Sequence, residues 1–482
     1  MQDDQYEAPL YTSLLKHLKK GYAHLHLPAH RQGQALSALW KDLEQDLFKI
    51  DLTELPGLDN LTSPSGSIAR SQSLAAGLYG AKRTFFLVNG TSVGLQALLM
   101  ALCRPGEKII IPRDSHRSVL AGLVLSGADP VYLVSSVAEE FGIPEGPGEA
   151  QVAEALDGCR EAKGVLTTYP NYYGIAADLK KLAGLVHRAG KPLVADEAHA
   201  AHFPFHPSLP EGGLSCGADA SVMSMHKMGG SLTQSSLLHL QGEFFDPGDV
   251  AAALACLQTS SPSYLLLVSL DLARHMLAEK GRELLDGSVQ KAGQLRETAG
   301  QIPGLKVLDG RHLRKGYSLD PTRITISGAD LGLSGFQLSA KLFKKYGVNV
   351  EMADFTNIVV VIGAGATEED CGRLVDGLRE ISREKLPAVR PLPAPLRLPA
   401  LPPRQLTPRQ AWFSGKRKVF LEHCAGLVCG EWVAVYPPGI PVIYPGEEFT
   451  PEIVEYLKWV KASGAPVAGP ADPELRTVRV IE

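Results

Sequence analysis

The chain has 482 residues, enough for two or three domains and a large core. Lys and Arg total 48 against 52 Asp and Glu, a formal net charge of −4, so no basic excess points to nucleic acid or an anionic membrane surface. A small-molecule partner is the expectation. The opening MQDDQYEAPLYTSLLKHLKK lacks a basic-then-apolar signal pattern, and no later stretch approaches the roughly 18 uninterrupted apolar residues of a membrane span, so a cytoplasmic protein is expected. Cys103, Cys159, Cys216, Cys256, Cys371, Cys424 and Cys429 are scattered and odd in number, which argues against a disulfide framework; Cys424 and Cys429 lie close without metal-site spacing, and buried reduced thiols are expected.

Along residues 84–240, short apolar runs alternate with amphipathic stretches of helical length. Strands are predicted at Thr84–Val88, Lys108–Pro112, Pro130–Val134, Gly164–Thr168, Pro192–Asp196 and Ala220–Ser224, with helices at Ser92–Leu102, Arg117–Ser126 and Ala177–Ala189. Continuous rather than alternating apolar strands imply a mostly parallel sheet covered on both faces. A long helix follows Tyr264. A smaller α+β unit comes next, with strands in KVLDG, TRITIS, VNVEM and NIVVVIGAG and helices in GFQLSAKLFKKYG and EEDCGRLVDGLREI. The segment Leu386–Arg404 holds seven prolines and is expected to run extended as a connector. The expected division is 1–300 (N-terminal segment and large domain), 301–386 (small α+β domain), 387–404 (linker) and 405–482 (C-terminal domain), whose Pro-Gly pairs give tight turns.

Ligands bind beyond the carboxyl ends of such strands, so the polar residues there are the candidates for chemistry. In SMHKMGGSLTQSS, Ser224–Ser236, Lys227 sits between a histidine and paired glycines at the close of a buried strand, a setting suited to an imine with an aldehyde cofactor beside a phosphate. The cofactor predicted is pyridoxal 5'-phosphate. NGTS places Thr91 and Ser92 where a strand ends and a helix opens, a convergence of amides and hydroxyls that suits phosphate, though such residues also serve as plain caps. Asp196, in ADEAHAAH, ends a central strand and could hold a pyridine nitrogen protonated. It precedes Lys227 by about one helix plus one strand. His199 and His202 have a three-residue offset that could suggest a metal pair, but HExxH and a third ligand are lacking and no metal is expected. His116, after the second strand, is either a cap or the residue that stacks on a flat cofactor ring. Asn171, Tyr172 and Tyr173 are wall residues or loop packing.

Position by position, VMSMHKMGGSLTQSS resembles the lysine signature of the Orn/Lys/Arg decarboxylase family of fold type I pyridoxal phosphate enzymes. The resemblance extends to LHLPAHRQG, DLTELPGLDNLTSPSG, FFLVNGTS, IPRDSHRSV, DEAHAAH, TSSPSYLLLVSLD and YPPGIPVIYPGE, and is greatest to short bacterial members without a wing domain, the biosynthetic arginine-specific branch among them. One departure is Ala29 where the family's HxPGH has glycine. The resemblance implies an aspartate aminotransferase-like α/β fold with a seven-stranded, mostly parallel sheet, a small α+β domain and a short C-terminal domain. It implies that Lys227 carries the cofactor, Asp196 partners its ring nitrogen and His116 stacks on it. Thr91, Ser92, Ser224, His226 and His199 would complete the cofactor site. A homodimer or higher oligomer is implied, with active sites at the subunit interface and a hydroxyl from Thr259–Ser261, Ser260 foremost, crossing from a second copy. Glu351, Asp354 and Asp59, with Asp51 and Glu54, are candidates to meet a distal cation on the substrate.

The implied reaction is decarboxylation of a basic L-amino acid, arginine to agmatine and carbon dioxide in polyamine biosynthesis, with lysine or ornithine as alternatives. Lys227 or His226 would return the proton. An aminotransferase on the same fold would need an arginine for a retained α-carboxylate, and a retired homologue that only binds cofactor would need none of this machinery intact.

Overall fold

The computed structural model describes residues 19, 21–26, 30, 34, 35, 38, 40, 51–55, 58–384, 399–435 and 439–482. The opening twenty residues apart from Lys19, the Ala29 departure, most of the proline-rich connector and Tyr436–Pro438 of YPPGIP lie outside them.

Seven strands form the central sheet: β1 (Arg83–Leu87), β2 (Lys108–Pro112), β3 (Asp129–Leu133), β4 (Val165–Thr168), β5 (Leu193–Asp196), β6 (Ala220–Met223) and β7 (Ser236–Leu240), in the order β1-β7-β6-β5-β4-β2-β3. The pairs β3-β2, β2-β4, β4-β5 and β5-β6 are parallel; β7 alone runs against its neighbours β6 and β1. Strands β5, β6 and β7 are buried along their whole length, as sheets covered on both faces require. Helices Gly90–Leu102 and Arg117–Ser126 pack on one face, with Leu98, Leu99, Val119 and Leu123 in the core they share with Ile109, Ile111 and Val222. On the other face, helix Leu179–Arg188 presents Leu182, Ala183 and Val186 to Val165 and Leu193.

Three sequence expectations are corrected. The run SLLHL is the seventh strand, β7, which the six strands named from the apolar runs did not include. The stretch from Asp196 to β6 holds no α-helix, only a 3-10 turn at Phe203–Phe205, because Pro204, Pro207, Pro210 and the pair Gly212-Gly213 interrupt any longer ladder. Cys256 is exposed, while the other six cysteines are buried; all seven are free thiols.

The long helix spans Tyr264–Gly300 and leads into a second sheet, β8 (Lys306–Val307), β9 (Arg323–Ser327), β10 (Met352–Ala353) and β11 (Asn357–Val361), ordered β8-β9-β11-β10 and antiparallel throughout. The expected strand VNVEM is split: Val348–Val350 pairs in parallel with Ala23–Leu25 from the N-terminal segment, and only Met352–Ala353 joins β11. Helix Glu368–Arg383, opened by a Thr367/Asp370 capping box, covers this sheet through Leu374, Leu378 and Ile381. The C-terminal unit has its own core around Val433, Ile443, Phe449, Leu457 and Val480.

That unit docks on the large one through a buried ion pair. Arg113, at the end of β2, is 9% exposed and Glu447 is 1% exposed; Nη2 donates to Oε2 at 2.8 Å and to the Val442 carbonyl at 3.1 Å. The guanidinium lies 4.9 Å from the Tyr132 ring centre and 4.5 Å from that of Tyr444, and the two rings stack at 5.2 Å. Removing one member of a buried pair strands the other charge. Glu447→Ala is therefore expected to destabilise the docked C-terminal unit by about 3–5 kcal/mol, read as a lowered denaturation midpoint and as new proteolytic cleavage between the units; an unchanged midpoint would show that the pair does not hold them.

Candidate active site

The carboxyl ends of five parallel-running strands and the start of β7 meet at one place. Beyond β1 lies Asn89, then helix Gly90–Leu102; beyond β2 lies His116; beyond β4, the loop of Asn171 to Tyr173; at the tip of β5, Asp196; beyond β6, the turn Met225–Gly229 with Lys227. Asp196 pairs with Val222 across β5-β6, which sets the two sides of the site in register. At Gln234, just before β7, φ is +87°, unusual for a residue with a Cβ, and it is held from both ends: its carbonyl accepts from Gly90 N at 2.8 Å and its Nε2 donates to Val88 O at 2.7 Å.

Lys227 Nζ lies 2.9 Å from His199 Nε2. Burial pushes this amine down to about 8, with Asp196 and Glu351 pulling the other way and Arg323 adding to the depression. Asp196 is 3% exposed; burial raises its carboxyl, opposed by Lys227 and by the Ala198 amide donating to Oδ1 at 3.2 Å. The neighbouring Glu197 turns into the core instead, where its Oε1 accepts from Gly213 N at 2.7 Å and its Oε2 from the Ser221 hydroxyl, and burial pushes it up to about 7.

Thr91 Oγ1 and Ser224 Oγ are 3.2 Å apart. Thr91 belongs to helix Gly90–Leu102, which has no side-chain cap on its first amides and no acidic residue in its first turn. The amides beyond Gly90, whose own N–H donates to the Gln234 carbonyl, join a positive helix end and two hydroxyls in a site suited to a phosphate dianion. His116 caps helix Arg117–Ser126 through Nδ1, which accepts from Ser118 N at 3.2 Å, and burial with the nearby Lys227 pushes it down to about 4. His226 Nδ1 lies 2.9 Å from Ser235 O, and burial likewise pushes its ring down to about 4. The Tyr172 ring meets His199 edge-on at 5.2 Å. An aldehyde cofactor with an anionic arm and a basic ring nitrogen finds a depressed amine, an anion cradle and a buried carboxylate here, so these residues fit pyridoxal phosphate.

Other candidates serve elsewhere. His202 Nε2 lies 3.2 Å from Asp320 Oδ2, and among the described residues no cluster suited to a metal ion occurs. Asn171 braces its own loop, accepting from Tyr173 N and Ile175 N at 3.0 Å each. Asp354 accepts from Tyr173 Oη at 2.8 Å and from Thr356 N and Asn357 N at 2.8 and 2.7 Å, which makes it a loop anchor. Asp59 accepts the amides of Asn60, Ser65, Gly66, Ile68 and Ala69 and so caps helix Ser67–Tyr79. Glu54 holds Asn60 Nδ2 and the Leu61 amide, and Asp51 is exposed. Of the acidic candidates only Glu351 acts electrostatically on Lys227. Ser260 is exposed, next to Thr259, whose amide donates to Asn89 Oδ1 at 3.3 Å. One residue at the site escaped the sequence reading: Arg323, at the start of β9, contacts His199 Nδ1.

Residues 8–314 match the family described as Orn/Lys/Arg decarboxylase, major domain, and residues 398–471 match its C-terminal domain. The chain is 38% identical to the arginine decarboxylase of Bacillus subtilis, over 99% of this chain and 98% of that enzyme. It is 37% identical to that of Bacillus anthracis, with the same coverage. Among solved structures, lysine decarboxylase A of Pseudomonas aeruginosa superposes with a TM-score of 0.78 at 22% identity, covering 98% of this chain and 80% of that one.

The five amides on Asp59 give a testable consequence. Burial would raise this carboxyl, but the Ser65, Ala69, Gly66 and Asn60 amides outweigh it and lower it from 3.8 to about 2. A depressed carboxyl stabilises the fold above its unfolded value and loses that contribution as pH falls through its folded one. Asp59→Ala is expected to cost about 1 kcal/mol at neutral pH, the scale of a lost N-cap, with the denaturation curves of the two proteins converging between pH 4 and 2; a difference that persists at pH 2 would assign the effect to packing.

Proposed function

The chain belongs to the Orn/Lys/Arg decarboxylase family and is a pyridoxal phosphate-dependent decarboxylase of the fold type I class; from that premise we propose that its substrate is L-arginine and its products are agmatine and carbon dioxide. The observation that carries the substrate is the 38% identity to an arginine decarboxylase over essentially the full length of both chains. Glu351 supports it: this carboxylate acts on Lys227 and Arg323, near enough to the reacting end to meet a basic side chain, and a planar guanidinium can be held by two parallel hydrogen bonds from one carboxylate. Lysine and ornithine are the alternatives.

When bound, pyridoxal phosphate supplies an aldehyde that takes the substrate amine and a ring that draws off the electrons freed as carbon dioxide leaves. Lys227 would hold it covalently. Thr91, Ser92, Ser224 and the first amides of Gly90–Leu102 would hold the phosphate, and Asp196 would keep the ring nitrogen protonated by ion pairing. The His116 imidazole, uncharged at neutral pH because burial and Lys227 depress it, offers a flat surface to the ring. Of the two candidate proton donors the geometry favours Lys227. A carbonyl only accepts, so His226 Nδ1 must carry its hydrogen toward Ser235 O, and the neutral ring then has no proton on Nε2 to give. The Lys227 amine, pushed down to about 8, can both hold and release one near neutral pH.

The enzyme is further proposed to act in polyamine biosynthesis in the cytoplasm, as a homodimer with Ser260 of a second copy completing the phosphate site. Leu52, Leu55 and Leu58, 39%, 45% and 37% exposed, are apolar side chains available to such a contact. The division into residues 1–300, 301–386, 387–404 and 405–482 is kept as a proposal, supported by the separate cores of the two sheets and the C-terminal unit.

Purified protein with pyridoxal phosphate, offered arginine, lysine and ornithine separately, is expected to release carbon dioxide and agmatine from arginine fastest. Cadaverine or putrescine as the major amine would move the substrate, and no amine from any of them would leave a non-catalytic homologue. Lys227→Ala is expected to lose turnover and the imine absorbance together; an active, yellow Lys227→Ala protein would refute the assignment.

A further inference from the structure

Arg323 is 1% exposed at the junction of the two sheets. One end of its guanidinium, Nη2, contacts His199 Nδ1; the other, Nη1, donates to the Tyr172 carbonyl at 3.3 Å. Arginine keeps its proton in proteins and has donors only, so His199 Nδ1 must be the acceptor. An imidazole whose Nδ1 lone pair is taken carries its hydrogen on Nε2, and Nε2 faces Lys227 Nζ at 2.9 Å. An ammonium there would set hydrogen against hydrogen. The arrangement closes only if the lysine is a neutral amine that accepts from His199.

We propose that Arg323 is a positioning residue that fixes the His199 tautomer and, through it, favours the uncharged form of the Lys227 amine, the form that captures the cofactor's aldehyde and recaptures it when product leaves. The inference rests on Lys227 being the cofactor lysine. Every charged or titratable group near that amine enters the balance. Asp196 from β5 and Glu351 from the small domain favour the ammonium; Arg323 opposes it; His116 and His226 are themselves held neutral by burial. Burial of the amine is the largest influence and acts in the direction that the hydrogen-bond logic requires. His199, driven far below its ordinary value by burial, Lys227 and Arg323, cannot compete for a second proton. The net result is that the ion pair with Asp196, the usual fate of a buried lysine beside a carboxylate, is weakened, and the amine gives up its proton near 8.

The test uses apoprotein and free pyridoxal phosphate, following growth of the imine absorbance as a function of pH. In the wild type the capture rate should rise with the neutral fraction of Lys227, with a midpoint near 8. In Arg323→Gln, which removes the cation and frees His199 to turn its lone pair to the amine, the midpoint should move up by about one pH unit, so that capture at pH 7 is about tenfold slower. Arg323→Lys, which keeps a cationic donor, should bring the midpoint back. A folded Arg323→Gln protein with the wild-type midpoint overturns the proposal. So does a variant that weakens arginine binding without moving the midpoint, which would make Arg323 a holder of the substrate carboxylate. A second measurement needs no variant of Arg323: nitrogen-15 histidine spectra of the wild-type apoprotein, with His199 assigned by its loss in His199→Gln, should show the hydrogen on Nε2, and a hydrogen on Nδ1 overturns the proposal. Failure of the cofactor-lysine reading has a different signature, an imine band that survives in Lys227→Ala, and it leaves the tautomer measurement intact.

Discussion

A lysine amine withdrawn from water at the ends of a parallel sheet is the constraint on which the rest depends. Removing that group from solvent favours its neutral form, and only the surrounding charges decide by how much. Parallel strands make the place available: consecutive crossovers bring Asn89, His116, Tyr172, Asp196 and Lys227 to one edge although they are far apart in the chain. The one antiparallel strand, β7, serves the same edge from the other direction. Its approach supplies the Ser235 carbonyl that orients His226 and the Gln234 carbonyl that receives Gly90, so the turn after Lys227 closes the anion cradle as well as ending the strand.

The C-terminal unit bears on this arrangement without touching the lysine. Arg113 lies three residues before His116, on the same loop beyond β2, and is held by Glu447 and two tyrosine rings, one from each unit. Asp114, between them, is held by the Ser135 hydroxyl at 2.7 Å. The loop that presents His116 is thus clamped by a buried, bidentate pair rather than left to its own hydrogen bonds. In a low-dielectric setting such a pair is worth more for fixing geometry than for stability. The YPGE segment reads as turn chemistry in the sequence and is, in the fold, the far half of that clamp.

Much of this was legible from residues alone, for a physical reason. Strands buried on both faces leave uninterrupted apolar runs, and the polar residue after each run stands at the sheet's edge, so Asp196, His116, Thr91 and Lys227 could be found by position. What escaped reading depends on contacts that no local pattern carries. Arg323 opens the apolar run RITIS like any solvated strand flank, and its partner His199 is 124 positions away. SLLHL follows so closely on the hydroxyl-rich turn that it looks like part of it. The carboxylates misled for the converse reason: Asp59 and Asp354 sit in acidic, loop-forming stretches that suggest a cation partner, yet their oxygens are taken by backbone amides and a tyrosine. An acid in a turn is first a cap, and only the fold shows which one, Glu351, acts electrostatically on the amine.

An arginine beside the reacting lysine would ordinarily argue for an aminotransferase, which must grip a carboxylate it does not expel. For a decarboxylase a free guanidinium there is a liability, since binding that stabilises the ground-state carboxylate more than the transition state slows its loss. Arg323 gives one N–H to His199 and one to the Tyr172 carbonyl, its side chain is buried to 1% exposure, and its Nε has no hydrogen-bond partner among the described residues. The bond to His199 sets the histidine's tautomer, and the bond to the Tyr172 carbonyl fixes the plane of the guanidinium, so the cation is held against the protein's own acceptors. A cation that would favour retention of the carboxyl group is thereby turned toward the histidine that faces the amine.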